Sequence, residues 1–426
     1  MRKMKDSGIE WIGEVPEGWR TINPKALFTQ RKDKAQKGER QLTSSQQHGI
    51  LYQDDYMELT GSKVVTVEKD FDILKHVEAG DFVISMRSFQ GGLEYSTKSG
   101  AISSAYVMLV PNLELVYPRF YRWLLKSSVY IDALQRTTNM VRDGQAMRYS
   151  NFAQVRLFTL PLDEQKSRAD FLDLECSSID KILFKTRSSI EEYKKLKQAV
   201  ITQAVTKGVR GEREMKDSGV EWIGAIPKDW EIKRLKSFCT IVDCKNRTPD
   251  VFPDGKYTVV RTTCIKDCSF SYEGSYQTDT TNFKAWTLKG QPHKGDIFFT
   301  REAPVGEACL VPNADNLCMG QRVMFFRPED NSDARYIMYS IYGPLVREYI
   351  ASKNSGSTVG HLKLGQVACI PIFYCPPLEQ KEIADYLDAK CAEIDGLIAK
   401  KEQLIKELES YKKSLIYEVV TGKREV

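Results

Sequence analysis

Basic and polar side chains that suit DNA recognition recur in both halves of the sequence, mostly in stretches typical of loops. Arg, Lys, Asn, Gln and Ser hold phosphates and form hydrogen bonds with base edges. Solvated loops carry the same residue types, so each residue is a candidate contact only. The candidates are Arg31, Lys32, Lys34, Ser45, Gln46, Gln47, Arg87, Arg142 and Arg148 in the first half, and Lys245, Asn246, Arg247, Arg261, Arg301, Arg322, His361 and Lys363 in the second.

Recognisable catalytic motifs are missing from the sequence. Thr421-Gly422-Lys423 lacks the upstream glycine of a phosphate-binding loop, and no strand–GxGxxG–helix unit offers a dinucleotide or methyl-donor site. No Asn-Pro-Pro-aromatic or Asp-Pro-Pro-aromatic segment is present to grip a flipped base. The histidines are too far apart in the sequence to favour a triad or a metal site; they are His48, His76, His293 and His361. We therefore expect no catalytic residues.

The cysteines and the charge pattern indicate the compartment. Cys239, Cys244, Cys264 and Cys268 could imitate a zinc cluster, but their spacing matches no common zinc finger. We expect buried free thiols, no bound metal and a reducing cytoplasm. The charged N-terminus and the lack of a long apolar run predict neither a signal peptide nor a membrane span. A formal net charge of +5 permits a nucleic-acid partner without requiring one.

An internal repeat organises the whole chain. Residues 4–13 recur as residues 215–224, and the match extends to Trp19 and Trp230. A second block that runs from Gln165-Lys166 to Ile179-Asp180 recurs from Gln380-Lys381 to Ile394-Asp395. The order is therefore variable block, shared block, variable block, shared block.

The second shared block predicts a long helix in each half. Apolar residues recur in steps of three and four, as in a coiled coil, and proline followed by acidic residues marks each helix start. The predicted seam consists of Leu172, Cys176, Ile179, Leu183, Ile190, Leu387, Cys391, Ile394, Ile398, Ile405 and Leu408. Polar residues interrupt both seams at matching places, namely Thr186 and Lys401, then Lys197 and Lys412.

Two helices related by duplication can bury their seams against each other as a pseudo-two-fold, antiparallel coiled coil. The alternative is that each helix packs only on its own domain. The variable blocks favour an α/β fold with short strands, because Gly80-Asp81 and Gly295-Asp296 each open an alternating run. Most other side chains differ between these blocks, so one scaffold displays two different surfaces.

The chain resembles the specificity subunits of type I restriction–modification systems. The resemblance rests on the paired KDSGxEWIGxxPxxW openings, the PLDEQ and PLEQ helix starts, and the closing runs at residues 199–206 and 414–423. It covers nearly the whole chain. Residues 243–249 and 320–322 of the second variable block also look like stretches common in that family, whereas Met86 stands where the second block has Arg301.

The resemblance implies a division of labour along the chain. Residues 1–160 and 209–375 would be target recognition domains that each bind one half of a split site in double-stranded DNA. Residues 161–208 and 376–426 would be spacer helices that dock two modification subunits, with restriction subunits joining the larger complex. S-adenosylmethionine, ATP and Mg²⁺ would bind to those other subunits and not to this chain.

Two other classes of protein remain open at this point. One is an enzyme that carries its own recognition domains, such as a single-chain methyltransferase or nuclease. This sequence contains neither the cofactor-binding loop nor the acidic metal cluster that such an enzyme would need. The other is a coiled-coil scaffold whose variable blocks bind peptides. A steep loss of duplex affinity with salt would distinguish a DNA-binding protein from that scaffold.

Overall fold

A computed structural model describes residues 2–67, 71–85, 88–137, 147–354 and 360–426. The chain divides into two compact units. The first unit comprises Met1–Arg187 with Glu402–Val426, and the second comprises Ser188–Lys401. Each unit therefore contains one α/β domain and part of each of two long helices. The sequence-based division into residues 1–160, 161–208, 209–375 and 376–426 stays a prediction.

The domain of the first unit consists of short strands and helices. Its strands are β1 (Met4–Asp6), β2 (Glu14–Pro16), β3 (Arg20–Ile22), β4 (Phe28–Arg31), β5 (Leu42–Ser45), β6 (Gly49–Tyr52), β7 (Lys75–Val77), β8 (Phe82–Ile84), β9 (Glu94–Tyr95), β10 (Gly100–Ile102), β11 (Val107–Pro111) and β12 (Leu157–Thr159). Its helices are α1 (Pro24–Leu27), α2 (Gln53–Thr60), α3 (Ser88–Gly91), α4 (Pro118–Leu124), α5 (Ser128–Arg136) and α6 (Tyr149–Gln154), with a 3-10 turn at Phe71–Ile73. The long helix α7 (Leu162–Lys207) follows.

A four-stranded antiparallel sheet forms the centre of this domain, in the order β4-β11-β8-β9. Phe28 on β4 and Phe82 on β8 are fully buried and pack edge to face. The Gly80-Asp81 pair before β8 turns the chain, and Gly80 has a left-handed φ of 107°. The hairpin of β5 and β6 lies beside this sheet and contacts β9.

The domain of the second unit has a similar order of elements. Its strands are β13 (Met215–Asp217), β14 (Ala225–Pro227), β15 (Glu231–Arg234), β16 (Cys239–Val242), β17 (Tyr257–Val260), β18 (Ile265–Lys266), β19 (Ser269–Phe270), β20 (Tyr276–Thr278), β21 (Ile297–Arg301), β22 (Val305–Leu310), β23 (Leu317–Met319), β24 (Val323–Pro328) and β25 (Pro371–Tyr374). Its helices are α8 (Thr280–Trp286), α9 (Ala334–Ile341), α10 (Pro344–Asn354) and α11 (Leu364–Ala368), with 3-10 turns at Leu235–Ser237 and Thr262–Cys264. The second long helix, α12 (Pro377–Val420), follows.

The central sheet of the second unit repeats the first, in the order β16-β24-β21-β22. A second sheet, β20-β17-β23, packs beside it and includes a parallel pair. Phe298, Phe325 and Cys309 lie between these layers in one buried cluster. The mixed helix and strand content confirms the predicted α/β class.

The long helices pack against each other within each unit. In the first unit, Asp180 of α7 accepts a hydrogen bond from Lys412 of α12 at 2.6 Å, and Arg187 bonds Glu409 at 2.6 Å. Higher numbers on α7 thus meet lower numbers on α12, which makes the pair antiparallel. No described helix is both long and apolar enough to cross a membrane.

The second unit contains the repeat copy of that ion pair. Lys197 donates to Asp395 at 2.7 Å, and these residues are the sequence equivalents of Lys412 and Asp180. The side chain of Lys197 is 14% exposed and that of Lys412 is 24% exposed. The lysines that interrupt the two seams therefore have a partner on the opposite helix.

The seams are largely buried. In the first unit, the start of α7 and the end of α12 join the domain core, and in the second unit the end of α7 and the start of α12 do so. The buried seam residues are Leu172, Cys176, Ile179, Leu183, Ile190, Leu387, Cys391 and Ile394, and the half-buried ones are Ile398, Ile405 and Leu408. The predicted antiparallel coiled coil is confirmed, and each helix also packs on both domains rather than only on its own.

An aspartate on each long helix attaches it to the neighbouring domain. Asp173 of α7 accepts hydrogen bonds from Arg119 at 2.9 Å and from the indole of Trp123 at 2.7 Å. Its repeat equivalent Asp388 accepts hydrogen bonds from Arg335 at 2.8 Å and from Tyr339 at 2.9 Å. The duplication has kept the carboxylate and an arginine partner, while the aromatic donor is tryptophan in the first unit and tyrosine in the second.

Candidate nucleic-acid interface

Arg301 is the centre of a polar cluster at the end of β21 in the second unit. Its guanidinium donates to both carboxylate oxygens of Asp243, at 3.1 and 3.2 Å, and to the Asn246 side-chain oxygen at 2.6 Å. The side chain is 10% exposed. Arg301 therefore holds the loop after β16 in place, and little of its guanidinium is left for a partner in solvent.

Two further segments meet at the residue that follows Arg301. The carboxylate of Glu302 lies 3.3 Å from the Arg322 guanidinium and 3.3 Å from Nδ1 of His361. Arg322 and His361 are each about 40% exposed. The backbone of Arg322 is left-handed, with a φ of 77°, and its carbonyl accepts a hydrogen bond from the Arg301 amide. Such backbone strain concentrates at functional sites.

The loop after β16 carries more of the predicted contacts. Thr248 and the carbonyl of Asn246 both bond to the Gln321 side chain. Lys245 lies over the Trp286 ring at 4.8 Å, and the indole of that tryptophan donates to the Arg247 carbonyl. Helix α8 therefore contacts this loop through Trp286.

The remaining two candidates of the second unit lie at neighbouring segments. Lys363 is exposed at the start of α11, two residues beyond His361. Arg261 follows β17 directly, and the carbonyl of the preceding Val260 accepts a hydrogen bond from the Gly320 amide. The structure thus brings the second-half candidates together around one end of the central sheet.

Arg31 of the first unit lies in a different environment from the exposed lysines that follow it. Its guanidinium forms a double hydrogen bond with Asp81, at 2.6 and 3.0 Å, and this bond raises the pKa of Arg31. In the second unit, Arg327 forms two hydrogen bonds with the carboxylate of Asp296 in the same way. Arg31 therefore holds the turn before β8, whereas Lys32 and Lys34 remain exposed.

The hairpin of β5 and β6 presents the other candidates of the first unit. Ser45 ends β5, and Gln46 and Gln47 lie at the tip. Lys126 donates to the Gln46 carbonyl at 3.3 Å and to Glu94 at 2.7 Å. Glu94 is only 4% exposed, and burial raises its pKa even though Lys126 opposes the shift.

The three other candidates of the first half are not brought into this hairpin by any described contact. Arg148 is exposed at the start of α6, where its amide donates to the Asn151 side chain. Arg87 and Arg142 lie outside the described residues. The candidates of the first unit therefore divide between the end of β4, the hairpin tip and α6.

Sequence reasoning missed the carboxylates that organise these surfaces. Asp243, Glu302 and Glu94 each bind a basic residue that the sequence or the structure places at the candidate surface. Only basic and neutral polar residues were selected as DNA contacts. The position of Glu302 next to Arg301 was a usable signal for one of them.

The four cysteines considered as a zinc cluster are free thiols, of which three are buried and Cys268 is partly buried. Cys239 and Cys264 are buried, and burial raises the pKa of both thiols. Among the residues that the structure describes, no group of His, Cys, Asp and Glu is placed to hold a metal ion. The four cysteines considered as a zinc cluster do not form one in the described parts of the chain.

Comparisons with known proteins find one kind of relative, over part of the chain or nearly all of it. Residues 227–409 match the family model described as Type I restriction modification DNA specificity domain. The putative type I restriction enzyme MjaX specificity subunit of Methanocaldococcus jannaschii is 22% identical over 97% of this chain and 95% of its own length. The MjaIX specificity subunit of the same organism is 26% identical over 46% of this chain and 44% of its own.

Solved structures show the same fold. A chain from a structure described as "Structural basis underlying complex assembly and conformational transition of the type I R-M system" has a TM-score of 0.69 at 14% identity, covering 96% of this chain and 99% of that one. The HsdS subunit from Thermoanaerobacter tengcongensis has a TM-score of 0.51 at 14% identity, over 96% and 98%. In sequence and in fold, the chain is therefore similar to the specificity subunits of type I restriction–modification systems.

Proposed function

We propose that this chain is a specificity subunit of a type I restriction–modification system and recognises a bipartite DNA target, with one half-site bound by each domain. The observation that carries the proposal is the duplication of one scaffold with two different polar surfaces. The second unit gathers Arg322 and His361 around Glu302 and holds the loop after β16 at Arg301, whereas the first presents the β5–β6 hairpin tip above Lys126. A repeated scaffold with unlike surfaces suits two unlike half-sites.

The long helices would set the distance between the half-sites and dock two modification subunits. Helix α7 has 46 residues, which corresponds to about 69 Å. In the first unit it exposes Leu174 and Phe184, which are 67% and 72% exposed. Phe184 lines an open groove of about 640 Å³ with Arg122 and Trp123. Exposed apolar side chains of this size support a protein-binding surface.

The reaction chemistry would belong to the other subunits. Modification subunits would supply S-adenosylmethionine for adenine methylation, and restriction subunits would use ATP and Mg²⁺. This chain would contribute binding to double-stranded DNA and would position the modification subunits on it. We expect duplex affinity to fall steeply with salt, because phosphate neutralisation releases counterions. A salt-independent affinity would instead support a peptide-binding scaffold.

Replacing one domain tests whether the two half-sites are recognised independently. We expect replacement of residues 20–160 by the same block of a relative to change one half of the methylated motif only. The measurement is methylated-adenine sequencing of cells that express the chain with its modification subunits. The matched control replaces residues 231–375 and should change the other half only. A change in both halves after either replacement would contradict independent recognition.

A further inference from the structure

Glu302 is one of two acidic groups, with Asp243, in a surface that is mostly basic and amide-rich. Its side chain is 21% exposed. Arg322 and His361 contact its carboxylate. Gln321 directly precedes Arg322 in the sequence, and Lys363 lies two residues after His361. A carboxylate at such a place repels DNA phosphates, so a role in general affinity for the backbone is excluded.

The two basic neighbours fix the orientation of this carboxylate. Arg322 Nη2 lies 3.3 Å from Oε1, and His361 Nδ1 lies 3.3 Å from Oε2, so among the described residues each oxygen has one side-chain partner. An ionised carboxylate has about four acceptor positions. At least two acceptor positions are therefore left. These long, partly exposed contacts contribute about 1 kcal/mol or less to stability. Their main effect is to hold the carboxylate in one position.

The backbone around Glu302 is also held in place. Ala303 and Arg322 both have left-handed φ values, 51° and 77°. The Leu362 amide donates to the Arg301 carbonyl, and Glu302 and His361 pair as an isolated β-bridge. The carboxylate is therefore attached to three segments of the unit that meet at this point.

We propose that Glu302 is a specificity-determining residue that accepts a hydrogen bond from the exocyclic amino group of a base, cytosine N4 or adenine N6, in the major groove. This inference rests on the proposed function, because it requires the second domain to bind a half-site. A carboxylate can only accept, so it pairs with an amino group and repels the O6 of guanine and the O4 of thymine. It therefore selects which strand carries the amino-bearing base at one position.

The substitution Glu302→Gln tests this selection, because glutamine has the same length and both donates and accepts. The chain is expressed with its modification subunits, and methylated adenines are sequenced. We expect one position of one half-site to become tolerant of the reversed base pair, while the other half-site is unchanged. In competition binding with the assembled complex, the penalty for that reversed pair should fall from about tenfold or more to about threefold or less.

The control is Asp330→Asn, which removes one negative charge from an exposed position of the same unit, beyond the far end of β24, and should leave the motif as in the wild type. An unchanged motif for Glu302→Gln would overturn the proposal, as would relaxation in the half-site assigned to the first domain. Glu302→Asp keeps the carboxylate with a shorter reach, so it should keep the base preference at a lower level of methylation. Relaxed preference in Glu302→Asp would also overturn it. A wild-type complex without any split motif would instead refute the proposed function.

Discussion

At the scale of single residues, buried ion pairs decide how the loops of the candidate surfaces are held. Glu94 lies under the β5–β6 hairpin with Lys126 as its partner, and the same lysine bonds the hairpin tip. Removal of one partner from a buried pair leaves an uncompensated charge. Because Lys126 itself is one-third exposed, we expect Lys126→Met to destabilise the first unit by about 2–3 kcal/mol at neutral pH.

The pH dependence of that loss follows from Glu94. Burial raises its folded-state pKa above the ordinary value of 4.5, and removal of Lys126 would raise it further. A carboxyl group with a raised folded pKa favours folding at low pH and loses that contribution as pH rises. The urea midpoint of Lys126→Met should therefore be closest to the wild type near pH 4.5 and fall progressively toward pH 8.

The control for this prediction is Lys98→Met, because Lys98 pairs with Asp55 at 3.3 Å and both side chains are more exposed than Glu94. This control should lower the free energy of unfolding, measured from the urea transition, by less than about 1 kcal/mol at every pH. A Lys126→Met midpoint that fell most at acidic pH would contradict the assignment to Glu94. Sequence reasoning could select the hairpin tip as polar, but it could not find this pair, whose members lie in separate strands and loops.

At the scale of elements, the long helices were predictable because their periodicity is local. The seam residues follow steps of three and four in the sequence itself, and proline and acidic residues mark the helix starts. The interruptions at Lys197 and Lys412 had no explanation in the sequence. Their partners, Asp395 and Asp180, lie about 200 residues away along the chain. Only the antiparallel pairing brings these charges together.

Charge reversal tests this pairing. Lys412→Glu would place two negative charges where Lys412 and Asp180 now lie 2.6 Å apart. Both side chains are partly exposed, so we expect a loss of about 1 kcal/mol, seen as a lower melting temperature. The double variant Lys412→Glu with Asp180→Lys should regain most of the loss.

The matched control is Lys413→Glu, at an exposed position next to Lys412. It makes the same change in net charge and should leave the melting temperature nearly unchanged. Two results together would contradict the pairing: no recovery of stability in the double variant, and a loss for Lys413→Glu as large as that for Lys412→Glu. Net charge, and not this ion pair, would then cause the effect.

At the scale of the whole molecule, the repeat predicted the order of domains and helices, because duplication leaves a signature that one sequence can reveal. The surfaces could not be predicted in the same way. By residue type and position in the sequence, Arg31 and Arg301 were as good candidates for DNA contacts as Lys32 and Arg322. In the structure, however, Arg31 and Arg301 are held by aspartates in their own unit. Whether an arginine supports a loop or faces solvent depends on carboxylates that the fold brings near it.

The proposed spacing role of the helices leads to a prediction about the target itself. Deleting residues 186–192 and 401–407 together removes one heptad at equivalent places, so the seam keeps its phase. Seven residues rise about 10.5 Å, and base pairs stack about every 3.4 Å. We therefore expect the unread segment between the half-sites to shorten by up to about three base pairs, with both half-site sequences retained in the methylated motif. Deletion of either heptad alone is the control and should abolish methylation, because the two seams no longer match. Altered half-site bases with an unchanged spacer would show that the helices do not set this distance.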